Sequence, residues 1–148
     1  MRYGAKKDQE QDVKQAVASG NPSEVTDAAF IVASYKGKMK AEKPGKVGKW
    51  LFFVAEKYID DTWKNVNKAI ESGKLWTTAK VSTAWRSKGG VYVVCVYTHD
   101  YEDMQDVMQI REYLREMGFK RPVSYKTDVQ TLAGVYSDLG EGVALYKA

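Results

Sequence analysis

The sequence predicts an α+β domain with a curved, mainly antiparallel sheet and helices packed mostly on one face. Three observations carry this. Leu75–Asp100 reads as two strands joined by a short turn at Ser87–Gly90, and strands joined through a tight turn must pair antiparallel. From Gly48 onward the element order reads β-α-β-β-α-β-β, which leaves few helices to cover the sheet. Two segments carry apolar residues at helical spacing, while those between them alternate or are apolar throughout.

Taken in order, residues 1 to about 27 are polar and hold a short amphipathic helix candidate, Asp8 to Ser19, stopped by Gly20-Asn21-Pro22. Ala28–Tyr35 reads as a strand. Lys36–Lys49 follows with six lysines and Pro44, a composition that predicts a mobile basic loop. It is either a solvated connection or a flap that closes over a phosphate. Gly48–Val54 is a buried strand. Asp60 or Asp61 is expected to cap a helix running to Ser72, with Trp63, Val66 and Ile70 facing the core and Gly73 ending it.

In the hairpin, Ala79, Val81, Thr83 and Trp85 share one face, and Lys80, Ser82, Ala84 and Arg86 the other. Val91–Tyr97 is apolar on both faces, as in a central strand. Asp100 and Asp103 precede the longest helix, about Glu102 to Met117, where acidic residues favour the helix dipole. Its apolar stripe is Val107, Ile110, Leu114 and Met117, with Gly118 as the stop. Pro122–Thr127 and Val143–Lys147 read as the last strands, separated by a glycine-containing loop or short helix.

The 148 residues are 44% hydrophobic and 12% aromatic, which excludes disorder for most of the length. They fit a polar segment, 1–27, ahead of one domain, 28–148. The net charge of +4 permits nucleic-acid or phosphate partners without requiring them. The single cysteine, Cys95, rules out an internal disulfide, and the single histidine, His99, a multi-histidine metal site. No metal and no cofactor are expected. There is no apolar run long enough to span a membrane and no targeting segment, so a cytoplasmic protein is expected. Walker loops, dinucleotide glycine fingerprints and nucleophile triads are absent.

The segments GKWLFF, AKVSTA, VYVVCVYTHD and SYKTDVQTLAGVY resemble the superfamily of the mRNA cap-binding translation initiation factor. Within it they are most similar to the family of the basophilic leukaemia-expressed protein. The resemblance covers about Gly48 to Ala148. It implies that Arg86-Ser87-Lys88-Gly89 matches an Arg-x-Lys-Gly element that contacts phosphates, a role suited to a bidentate guanidinium beside a mobile ammonium. The cap-binding tryptophan expected before the Gly-x-Trp strand is missing, since Tyr35–Lys49 holds only Met39 there. A second resemblance, over about Lys49 to Asp128, is to phosphothreonine lyases. It implies Lys80 as the general base; the lyases' acid histidine is absent from Trp50–Val54, which leaves His99 to substitute.

The expected function is binding of a phosphorylated ligand, whether a nucleotide, an RNA end or a phosphopeptide, at a basic hairpin. Arg86, Lys88, Lys126 and Ser82 would hold it, with Trp76 as a stacking platform. The alternatives are a lyase-like β-elimination using Lys80 and His99, and a protein-interaction module without catalysis.

Overall fold

The computed structural model describes residues 16–87, 90–127 and 145–148. Six strands, β1 (Phe30–Ser34), β2 (Gly48–Ala55), β3 (Thr78–Ser82), β4 (Val91–Thr98), β5 (Ser124–Thr127) and β6 (Tyr146–Lys147), form one sheet. Two helices, α1 (Glu56–Glu71) and α2 (Met104–Glu116), accompany it. The strand order is β1-β3-β4-β2-β5-β6, every neighbour pairs antiparallel, and the sheet does not close. The chain is α+β, as its order of elements requires. Among the described residues no helix is long and apolar enough to cross a membrane.

Register fixes which side chains share a face. Trp50, Phe52 and Val54 lie opposite Val96, Val94 and Tyr92, and these continue to Ala79 and Val81 on β3 and Ala33 and Ile31 on β1. Both helices pack on this face. α1 contributes Ile59, Trp63, Val66 and Ile70, spaced four, three and four residues apart as an inward stripe requires. α2 contributes Val107, Ile110 and Leu114 and accepts the Trp50 indole N–H on the Val107 carbonyl at 3.0 Å. The other face carries no helix among the described residues.

Several boundaries depart from the sequence reading. Most of the N-terminal helix candidate lies outside the described residues, but at its end Val17 forms a parallel bridge with Ile31 rather than a helical turn. α1 starts at Glu56, not at Asp60 or Asp61, because the chain passes straight from β2 into the helix. Asp60 instead accepts the Ser23 N–H at 3.0 Å, tying the N-terminal segment to α1. β3 ends at Ser82, so Trp85 and Arg86 sit in a turn whose N–H groups find Val25 and Thr83 carbonyls, and strand alternation does not place them. Strand alternation fails there because residues 83–87 bond among themselves and to residues 22–29 rather than to β4.

The lysine-rich loop is bonded to the rest of the fold at several points. The Trp76 indole donates to the Lys40 carbonyl at 2.7 Å, and the N–H groups of Lys43 and Tyr101 bond across to His99 and Lys46. Lys40, Lys43 and Lys46 pair with Asp103, Asp100 and Glu102. The acidic turn before α2 is therefore the counter-charge of the basic loop.

Candidate functional site

The helix-free face is built by the residues that alternate with the core stripe. β2 turns Lys49, Leu51 and Phe53 to it, β3 turns Thr78, Lys80 and Ser82, and β5 turns Ser124 and Lys126. Lys49 lies directly opposite Lys126 across the β2–β5 pair, and opposite Tyr97 across β2–β4. Lys80 lies opposite Cys95, one row along. None of the six strands contains an acidic residue.

Lys80 and Arg86 converge although only Lys80 is on the strand. The Lys80 ammonium sits 4.1 Å from the centroid of the Phe30 ring and the Arg86 guanidinium 5.0 Å from it. Phe30 faces Ser82 in the β1–β3 register, so its ring stands on the same surface. Lys49 is buried, 6% exposed, with its ammonium 5.6 Å from the Tyr97 ring. Its place follows from alternation against Trp50, a signal present in GKWLFF that the sequence reading did not use.

The remaining candidates make other contacts or lie outside the described residues, although Ser82 shares that face. The Ser82 hydroxyl accepts the Val93 N–H at 2.9 Å and bonds Ser87 Oγ at 2.6 Å, so it fastens the β3–β4 connection. Trp76 is buried and holds the Lys40 carbonyl. Lys88 lies outside the described residues. Cys95 is buried on β4. His99 stands four residues beyond Cys95, roughly 13 Å along the strand at about 3.3 Å per residue, so the structure does not bring it to Lys80.

His99 instead centres a second cluster. Its Nε2 meets Asp103 Oδ2 at 2.9 Å and its Nδ1 meets the Ala41 carbonyl at 3.3 Å. Both partners are acceptors, so each contact is a hydrogen bond only when that nitrogen carries a proton. Asp106 Oδ2 lies 3.8 Å from Nε2, buried and without a hydrogen-bond partner among the described residues. One donor atom each from His99, Asp103 and Asp106 falls within 4.8 Å of the others, a nitrogen and oxygen set of the type that divalent ions use. The Lys40 ammonium, 3.2 Å from Asp103 and 3.8 Å from Asp106, provides the positive charge there. The sequence signal for this cluster is the spacing of His99, Asp103 and Asp106 at i, i+4 and i+7.

The two carboxylates respond oppositely to the fold. The His99 hydrogen bond, then the Asp106 N–H and Lys40, lower the Asp103 pKa to about 2. Burial raises that of Asp106. A depressed carboxylate contributes stability that is present above its unfolded pKa, near 4, and is lost as pH falls through about 2. Asp103→Asn keeps the side-chain cap on Asp106 N–H and removes the charge. It is expected to lower stability at pH 7 by about 1–2 kcal/mol, after discounting for solvent screening of a partly exposed group, and to flatten the loss between pH 4 and 2. Asp106→Asn removes a carboxylate that burial disfavours and should cost less at pH 7. Urea midpoints across that pH range check both.

The family model described as "Basophilic leukemia-expressed protein Bles03" matches residues 37–134, a span that begins in the lysine-rich loop and includes β2 to β5.

Proposed function

Since the chain belongs to the basophilic leukemia-expressed protein Bles03 family, a description that names no chemistry, we propose a function from the open face of the sheet: it binds a phosphate-bearing ligand. The observation that carries this reading is the shared surface of Lys49, Lys80 and Lys126, joined by Arg86 at Phe30, on strands that contribute no carboxylate. A phosphate dianion is held by charge-assisted hydrogen bonds, and a guanidinium with flexible ammonium groups suits it. Nucleotide, RNA end and phosphopeptide share that group. The lyase-like alternative would use Lys80 as base and needs a proton donor other than His99, which is occupied with Asp103.

The test is a thermal-shift and calorimetry series with a nucleoside triphosphate, a cap analogue and a phosphothreonine peptide against wild type, Arg86→Ala and Lys126→Ala. A ligand that binds only the folded chain raises the melting temperature. One ligand class is expected to do so, with affinity falling about tenfold in each variant, the equivalent of about 1.4 kcal/mol. Incubating the phosphopeptide and following loss of phosphoric acid by mass separates lyase from binder, with Lys80→Ala as the control. No shift with any of the three at millimolar concentration sinks the phosphate reading.

A further inference from the structure

β2 is longer than its neighbour. β5 pairs only with Gly48–Leu51, so among the described residues no strand lies beside Phe52–Ala55 on that side. The direction of the backbone groups there follows from two separate contacts. Val123 exchanges both main-chain hydrogen bonds with Ala148, so in β5 Val123 faces β6 while Ser124 and Lys126 face β2. Their partners Leu51 and Lys49 therefore turn N–H and C=O towards β5, and Phe53 and Ala55, two and four residues further on, turn theirs the same way. On the opposite flank, the Val93 N–H points to Ser82 on β3. Tyr92 and Val94 then face β2, where they meet Val54 and Phe52. The two derivations agree.

This edge forms one wall of a groove of about 730 Å³. Phe119, Pro122 and Tyr58 also line it. Phe53 is 69% and Tyr58 58% exposed, and both line the groove. Lys120, Arg121 and Lys147 line the groove, and among the described residues no acidic one does.

We propose that the β2 edge at Phe53–Ala55 accepts an extended acidic peptide as an added strand. Strand addition uses main-chain hydrogen bonds for attachment and alternate side chains for selection. Here the bonds are offered by Phe53 and Ala55, and Phe119, stacked on Phe52 at 4.7 Å on the helix-covered side, suits apolar side chains at every second position. The rim of Lys120, Arg121 and Lys147 selects acidic residues between them. A second copy of this edge would bring the same three cations against themselves, which argues against self-pairing. The proposal is independent of the phosphate reading.

Ala55→Pro is the sharpest variant. Ala55 has φ −68°, the value proline imposes, and Val54 before it lies in a strand, as a residue preceding proline prefers. The substitution deletes one edge N–H and leaves the fold intact. A fluorescent Ac-Glu-Val-Glu-Val-Glu-Val-Glu-NH2 peptide and its Lys-Val counterpart are titrated against wild type, Ala55→Pro and Arg121→Glu by anisotropy. Amide exchange at Phe53 is followed with and without the acidic peptide. The expected result is binding of the acidic peptide only, weakened about tenfold in each variant, with Phe53 exchange slowed. Equal binding of both peptides overturns the proposal. So does undiminished binding to Ala55→Pro with unchanged Phe53 exchange, or a concentration-dependent dimer that occupies the edge. Should Ala55→Pro melt well below wild type, Arg121→Glu and Phe53 exchange decide the matter.

Discussion

Arg111→Met is expected to destabilise the protein by about 3–5 kcal/mol in urea titration. Arg111 is fully buried, at 0% exposed, in the middle of α2. Its Nε donates to the Ala148 main-chain oxygen at 2.8 Å, and its two terminal nitrogens donate to Phe119 and Arg121 at 2.9 Å each. The guanidinium also lies 5.9 Å from the Trp50 ring. All three acceptors are backbone oxygens. A buried ion pair can often be exchanged whole for apolar residues at little cost. That route is closed here, because the acceptors remain when the side chain goes. Methionine fills much of the volume and takes the donor from the Phe119 and Arg121 carbonyls, each worth about 1–3 kcal/mol when buried, while the Ala148 oxygen keeps the Val123 N–H. Arg111→Lys keeps the charge and loses the fork, so it should fall between wild type and methionine. Amide exchange at Val123 and Ala148 should rise in Arg111→Met before it rises in β4, since this side chain ties α2 to the last strand pair. A loss under 1 kcal/mol would falsify this account of the side chain.

Arg111 also shows where the sequence stops being informative. Val107, Ile110 and Leu114 are spaced as an inward stripe, and the reading found the helix to within two residues of its ends. Nothing in that spacing says that the arginine beside Ile110 turns inward. Its partners are main-chain oxygens 8, 10 and 37 residues away, and backbone groups carry no sequence signature. The strands were legible for the opposite reason: two-residue alternation in β3 and β5 and the apolar run of β4 are local properties. β4 lies between β2 and β3 as a central strand should, although its open-face residues Val93 and Tyr97 are only half-buried.

The site divides along the same line. Alternation assigns Lys80 and Lys126 each to one face of its own strand, and the strand order and register make the two faces the same. Arg86 reaches that face by another route, a turn closed on the Thr83 carbonyl. The sequence offers His99 as an acid to work with Lys80 and the lysine-rich segment as a loop or flap, and the structure pairs both with the acidic turn. Their order comes from pairing between Lys40–Lys46 and Asp100–Asp106, more than fifty residues apart. Each segment alone looks solvated, and only together do they fix a loop.

Gly48→Ala is expected to cost about 3 kcal/mol, the upper range for inserting a methyl group into a tight contact. Gly48 is the first residue of β2, and a Cβ there would come within 2.7 Å of Tyr125 Cε1 and closer to Cζ and Oη. Tyr125 cannot retreat. It is fully buried, its ring stands edge-on to Trp50 at 5.0 Å, and its hydroxyl bonds Thr98 Oγ1 at 2.6 Å. Thr98 is the β4 partner of Gly48, while Tyr125 starts from β5 on the other side. The phenol therefore crosses β2 over Gly48 and fastens three strands, and burial pushes its pKa up. A missing side chain is what lets the ring pass. Tyr125→Phe in the Gly48→Ala background should give no relief, because Cε1 and Cζ remain; Tyr125→Leu should recover part of the loss, a coupling that a double-mutant cycle reads directly. Equal costs of Gly48→Ala in the wild-type and Tyr125→Leu backgrounds would show that the ring is not the obstacle. The same clash pushes β5 away from β2, and Lys49 and Lys126 are opposed across that pair. Any phosphate affinity should then fall in Gly48→Ala with every cation still present, and recover with Tyr125→Leu to the extent that stability does.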